Sequence, residues 1–156
     1  MPRTLTPEAV SNLLATLLPG TVEVKIGKPV DKAQALTGVY SRDDGGLEGA
    51  CVCDYGMVAF AGAALAMIPA NAAKESQKSG QFPETILENF REILNITGQV
   101  LNHPGLPHLS FRHLLKPAET NSPELTALLA KPAGRLDLEV GIGNYGVGRI
   151  SILFAS

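Results

Sequence analysis

The spacing of apolar side chains between residues 84 and 102 predicts one long amphipathic helix. With 100° of rotation per residue, seven apolar positions and Thr97 fall within an arc of about 140°, which is typical of a helix packed on a core by one face. These positions are Ile86, Leu87, Phe90, Ile93, Leu94, Thr97, Val100 and Leu101.

Polar side chains form a continuous stripe on the opposite side of this helix. Glu92 and Asn95 are three residues apart, so their side chains are neighbours on the helix surface. Asparagine is a weak helix former in mid-helix because it competes for backbone hydrogen bonds, although a solvated surface needs no functional explanation. The stripe comprises Glu88, Glu92, Asn95, Gln99 and Asn102.

Shorter patterns predict the other elements. Thr6 and Pro7 are typical of the N-cap and first residue of a helix. Period-two alternation predicts strands, and an Ala- and Gly-rich apolar run predicts a buried helix that can approach a sheet closely. We expect helices at residues 7–18, 56–68 and 122–130, a short helix within 69–80, and strands at 21–26, 34–40, 47–53, 108–115, 135–142 and 147–154.

The order of these elements predicts an α/β (α+β) sandwich with a largely antiparallel sheet and the long amphipathic helix. Turn-forming residues at 42–46 and 143–146 predict two hairpins, the second at the C-terminal end of the sequence. Neither an interdomain linker nor a low-complexity tract interrupts the pattern, so we expect residues 1–156 to form a single domain.

Composition narrows the class of protein. The 156 residues are 45% hydrophobic and 18% charged with a net charge of -2, as in ordinary globular proteins. Basic residues form no cluster, which argues against nucleic-acid binding. The apolar run at 57–69 is too short to span a bilayer, and residues 1–10 lack the order of a signal peptide. We therefore expect a cytoplasmic protein that binds neither nucleic acid nor membrane.

Three further patterns offer weaker hypotheses. Residues 141–146 spell G-x-G-x-x-G, but a dinucleotide site needs a helix directly afterwards, so we interpret them as a turn. Cys51 and Cys53 share one side of a predicted strand, where buried, reduced thiols are a simpler interpretation than a zinc site. A zinc site would need further ligands, and the imidazoles that the chain offers are those of His103, His108 and His113. We expect no metal or cofactor site.

The string Glu92-Ile93-Leu94-Asn95-Ile96 resembles the E-x-x-N signature of the CheC/CheX family of chemotaxis phosphatases. The element order of that family, from a hairpin and an Ala/Leu-rich helix before the motif to a C-terminal hairpin after it, matches residues 21–156. A proline at a set distance after the Asn also belongs to the family pattern, and Pro117 lies one residue short of that distance. Because a single motif is present, the chain resembles CheX more than the two-motif CheC.

The resemblance implies hydrolysis of the aspartyl phosphate on a CheY-type response regulator. Positioning dominates phosphoryl transfer, and the family pattern assigns the positioning of the attacking water to Asn95, whose carboxamide both accepts and donates hydrogen bonds. Glu92 would pair with the active-site Lys of the receiver domain, with Glu88 and Gln99 as further partner-binding residues. Mg²⁺ would be carried by the receiver, so the chain is expected to need no cofactor of its own.

Two positions near the motif depart from the family pattern and keep other hypotheses open. Glu88 stands where Asp or Ser is usual, and Gly98 follows Asn95 by three residues where four are common. A non-catalytic relative that binds a receiver or a flagellar-switch component is the main alternative, and a small-ligand sensory or structural domain is a third. The resemblance also implies a possible homodimer, for which the C-terminal hairpin would offer a strand edge.

Overall fold

A computed structural model describes residues 5–156. Residues 1–4 lie outside that range; they belong to the N-terminal segment in which we expect no signal peptide. The helices are α1 (Pro7–Leu17), α2 (Tyr55–Leu65), α3 (Ala70–Ser79), α4 (Glu84–Leu101) and α5 (Pro123–Ala130). The strands are β1 (Val22–Ile26), β2 (Ala35–Arg42), β3 (Leu47–Asp54), β4 (Leu109–Leu115), β5 (Gly134–Ile142) and β6 (Gly146–Phe154). Single turns of 3-10 helix lie at Lys32–Gln34 and Pro117–Glu119.

The six strands form one sheet in the order β1-β5-β6-β3-β2-β4, and every neighbouring pair is antiparallel. The predicted mixed α/β fold with an antiparallel sheet is thus confirmed. The expectation that the C-terminal hairpin offers a free edge is wrong, because β5 pairs with β1 and β6 pairs with β3. A homodimer through a sheet edge stays a prediction, and within residues 5–156 it would have to use β1 or β4.

Helices cover both faces of the sheet. On one face α1, α2 and α4 enclose the larger apolar core, which includes Leu14, Met57 and Phe90. On the other face α5 buries Leu125 and Leu128 against the small residues of β2 and β3. Helix α3 is mostly polar and buries only Ala73 and Ser76 beside α2. Within residues 5–156, none of the helices is both long and apolar enough to cross a membrane.

Two glycines allow α2 to lie unusually close to its neighbours, as its Ala- and Gly-rich sequence predicts. A Cβ added at Gly62 would stand 2.6 Å from the carbonyl oxygen of Ile86 in α4. A Cβ added at Gly148 in β6 would collide with the backbone nitrogen of Met57 at the start of α2. Because backbone atoms cannot move aside as a side chain tip can, both positions require glycine.

Helix α2 ends three residues before the predicted end, and the turn that follows it contains the one non-glycine residue with positive φ in the described chain. The N–H of Ile68 donates to the carbonyl of Ala63 at 2.9 Å, and the N–H of Met67 donates to that of Ala64 at 3.1 Å. This is a Schellman motif. Its left-handed position is held by Met67, with φ 56°, where glycine is the usual residue.

Met67→Gly is expected to raise the free energy of unfolding by roughly 0.5–1 kcal/mol, because relief of the left-handed strain, ~1–2 kcal/mol, exceeds the added entropy of the unfolded chain. The Met67 side chain is 73% exposed, so little packing is lost. Urea denaturation measures the change. Ala66→Gly is the matched control: Ala66 has φ -108° and is not strained, so this variant should be less stable than the wild type. Equal effects of the two substitutions would contradict the strain at Met67.

Candidate functional site

Helix α4 buries one face so completely that its rotation about its own axis is fixed. The buried residues are Ile86, Phe90, Ile93, Leu94, Thr97, Gly98 and Leu101. Glu88, Glu92, Asn95 and Gln99 are all exposed on the opposite side. The structure therefore brings the four predicted site residues together on one surface, which we call the α4 outer face.

Glu92 and Asn95 lie side by side on this surface, one helical turn apart. Within residues 5–156 neither side chain takes part in a hydrogen bond or an ion pair. Arg91, the cation nearest in sequence, is held by Glu84 at 2.9 Å. Glu88 and Glu92 are like charges four residues apart, an arrangement that costs an isolated helix about 0.2–0.5 kcal/mol. The α4 outer face thus presents a carboxylate and a carboxamide that are free to meet a partner.

Asn102, which the periodicity assigns to the polar stripe, has a structural role instead. Its Nδ2 donates to the carbonyl oxygens of Gly98 at 3.0 Å and Leu109 at 3.1 Å, and its Oδ1 accepts from the N–H of Leu109 at 2.9 Å. The side chain therefore ends α4 and ties it to the first residue of β4. The α4 outer face ends at Gln99.

Tyr40 of β2 holds the part of α4 that carries Glu92 and Asn95 from the side of the sheet. Its phenol donates to the carbonyl oxygen of Leu94 at 2.6 Å, directly before Asn95. Burial is the largest cause that raises the pKa of Tyr40 well above its ordinary value, so the hydroxyl keeps its proton and remains a donor. Gly98 lies against the same ring, since an added Cβ would be 3.4 Å from its Cε2 atom. The position of Gly98 thus has a packing explanation independent of any family pattern.

Asn89 holds α4 from the side of α2. Its Nδ2 donates to the carbonyl oxygen of Gly62 at 2.9 Å, at the point where the two helices lie closest. Neither Asn89 nor Tyr40 stands out in the sequence. The only signal was that a buried tyrosine hydroxyl needs a partner. With hydrogen bonds on both flanks, α4 is a rigid support for the residues on its outer face.

Pro117, the residue compared with the family proline, lies near the start of α4 rather than near Asn95. It lines a cavity of about 250 Å³ together with Leu87 of α4, Phe82 and Tyr55. The rings of Tyr55 and Phe82 meet edge to face with centroids 5.7 Å apart. Pro117 therefore lies beside the segment that connects α3 to α4.

The cysteines and histidines do not form a second site. Cys51 and Cys53 are free and buried, and burial raises the pKa of Cys51 to about 12, so its thiol stays protonated. Among the described residues no three His, Cys, Asp or Glu side chains lie close enough together to hold a metal ion. Residues 141–146 connect β5 to β6, so the G-x-G-x-x-G string is a turn between strands as predicted.

Tyr40→Phe is expected to lower the free energy of unfolding by roughly 1–2 kcal/mol, because a buried donor is removed from the Leu94 carbonyl while the ring remains. Chemical denaturation measures the loss. Tyr55→Phe is the matched control, since within residues 5–156 the Tyr55 hydroxyl makes no hydrogen bond. The free energy of unfolding of this variant should differ from that of the wild type by less than about 0.5 kcal/mol. Equal losses in the two variants would contradict the anchoring role of Tyr40.

Comparison with known proteins identifies the fold through solved structures. No protein-family model matches the chain, and no curated protein matches its sequence. FliM in the H. pylori FliM–SpeE complex has 14% identity and a TM-score of 0.64, with 95% of this chain and 80% of that chain covered. FliY of Thermotoga maritima has 12% identity and a TM-score of 0.58, with coverages of 98% and 92%.

CheX from Borrelia burgdorferi, solved as a CheX–CheY–BeF3–Mg complex, is also similar. It has 14% identity and a TM-score of 0.56, with 96% of this chain and 94% of that chain covered. At such identities the agreement concerns the course of the backbone rather than individual side chains. The CheC/CheX-like fold predicted from the motif and element order is confirmed: this chain has the fold shared by CheX, FliY and FliM.

Proposed function

We propose that this chain is a cytoplasmic CheX-like phosphatase that accelerates hydrolysis of the aspartyl phosphate on a CheY-type response regulator. The observation that carries the proposal is the α4 outer face, where Glu92 and Asn95 are exposed, adjacent and free of partners within residues 5–156. Hydrogen bonds on both flanks hold the helix that carries these side chains, which makes it a rigid support for them.

The proposed reaction is an in-line displacement at phosphorus. The carboxamide of Asn95 binds a water molecule, whose oxygen forms a bond to phosphorus as the bond to the aspartyl oxygen breaks. The products are inorganic phosphate and the free receiver carboxylate, and the water proton leaves with the phosphate or to solvent. A neutral amide suits this task because it orients the water without adding negative charge beside the phosphoryl group.

Glu92 is proposed to orient the two proteins. Glu92 lies three residues, about one helical turn, before Asn95. Its carboxylate would make a charge-assisted contact with the active-site Lys of the receiver. Glu88 and Gln99 extend the same exposed surface toward the two ends of the helix and would touch the rim of the receiver pocket. Mg²⁺ is proposed to arrive with the receiver, as the Borrelia CheX complex contains both CheY and Mg.

Asn95→Ala is expected to reduce accelerated dephosphorylation of a cognate phospho-receiver to the receiver's own rate, because water positioning is lost while the exposed substitution leaves the core intact. The measurement is loss of radiolabelled phosphate from receivers encoded in the same genome. Asn71→Ala, an exposed asparagine on α3, should retain full activity. If wild-type protein and Asn95→Ala leave the phospho-receiver equally long-lived, the phosphatase proposal fails.

A second candidate function is binding without hydrolysis. FliM has been solved in complexes with FliG and with SpeE, so this fold also occurs in proteins captured with other partners. Two departures from the family pattern favour this candidate: Glu88 stands where Asp or Ser is usual, and Gly98 follows Asn95 by three residues rather than four. The chain would then bind a receiver or a flagellar-switch protein through the same surface.

Glu92→Lys is expected to weaken receiver binding by roughly tenfold or more under either candidate, because a charge facing the partner is reversed. Calorimetric titration with the receiver measures the affinity. Glu75→Lys on the exposed face of α3 is the charge-matched control and should bind as wild type does. Binding with no gain in dephosphorylation would favour the second candidate, whereas equal affinities of the two variants would remove the α4 outer face from both.

A further inference from the structure

A cavity of about 340 Å³ lies on the face of the sheet opposite α4. It is bounded by α5, the 3-10 turn at Lys32–Gln34 and strands β3, β5 and β6. Its apolar floor consists of Val52, Leu129 and Leu153, and its polar rim includes Lys32, Thr126 and Arg135. Because the sheet separates it from Glu92 and Asn95, neither proposed function uses this cavity.

A hydrogen-bonded chain fixes the polar wall of the cavity. The hydroxyl of Ser151, which is buried, accepts from the N–H of Val30 at 2.9 Å and donates to Oδ1 of Asp137 at 2.7 Å. Arg135 donates two hydrogen bonds to the same carboxylate, from Nε at 3.0 Å and from Nη2 at 2.9 Å. This bidentate contact orients the guanidinium on the cavity rim before any ligand arrives.

Several acceptors around the cavity are already engaged, whereas each of its two cationic side chains keeps at least one unpaired donor group. Asp137 receives Arg135 and Ser151, and Oδ1 of Asp31 accepts the N–H of Ala33 at 3.0 Å. Within residues 5–156 the ammonium of Lys32 has no partner. No contact of the Nη1 group of Arg135 is seen in that range either. The ammonium of Lys32 and the Nη1 group of Arg135 are therefore available to a ligand above the apolar floor, beside the second carboxylate oxygen of Asp31.

We propose that this cavity binds a small organic anion with an apolar body, its acidic group at Lys32 and Arg135 and its body on Val52, Leu129 and Leu153. The volume is at the lower end of the range of about 300–1,000 Å³ typical of small-molecule sites. A floor of apolar side chains with a few oriented polar groups is also the usual composition of such sites. This inference is independent of the proposed phosphatase or partner-binding function.

The test uses the fluorescent probe 1-anilinonaphthalene-8-sulfonate, which combines an apolar body with a sulfonate. Wild-type protein is expected to bind it saturably with one site per chain. Thr126→Trp, which fills the mouth from an exposed helical position, should weaken binding at least tenfold. Ala127→Trp, the next exposed residue on α5 and outside the cavity lining, should bind as wild type does.

A second pair of variants tests the charge, and keeps the proposal testable should Thr126→Trp disturb the fold. Lys32→Glu should weaken probe binding by about tenfold, equivalent to ~1.4 kcal/mol, whereas Lys28→Glu, exposed and outside the cavity lining, should leave it unchanged. Absence of saturable binding by wild-type protein overturns the proposal. So does equal affinity of Thr126→Trp and Ala127→Trp, or of Lys32→Glu and Lys28→Glu.

Discussion

The burial of one face of α4 determines which of its side chains form the α4 outer face. Phe90, Ile93 and Leu94 are each almost fully buried, and removing such side chains from water contributes about 1.5–3 kcal/mol apiece. Rotating the helix to hide Glu92 and Asn95 would expose these residues and bury a charge. The core therefore determines which side chains face solvent, and Tyr40 and Asn89 add directional contacts that apolar packing alone does not supply.

The position of α4 depends in turn on α2. Contact between the two backbones at Gly62 and Ile86 sets the separation of the helices, and Gly148 lets α2 rest directly on β6. Alanines around the circumference of α2 fill the remaining space, since Ala59, Ala61, Ala63 and Ala64 are all buried. A side chain at Gly62 would move α4 outward and with it the support for Glu92 and Asn95.

Local patterns in the sequence predicted much of this structure. The α4 periodicity, both hairpins and the order of elements were right because each depends on side chains a few residues apart. The sheet order was not predictable in this way: that β6 occupies the centre follows from its pairing with β3, about a hundred residues earlier in the chain. The roles of Asn102 and Tyr40 were missed for the same reason, since their partners Leu109 and Leu94 are fixed by tertiary packing. At Met67, a strained residue occupies a position where sequence rules expect glycine.

We propose that this protein meets a receiver domain through the α4 outer face. An NMR titration of the ¹⁵N-labelled chain tests it most directly, with a receiver saturated by BeF3 and Mg²⁺, the ligands present in the Borrelia CheX–CheY complex. We expect the signals of the Asn95 side-chain amide and of the Glu92 and Gln99 backbone amides to shift with one-to-one stoichiometry, while those of α5 do not. Shifts confined to α5 or to the sheet edges, with the Asn95 amide unmoved at saturation, would contradict it.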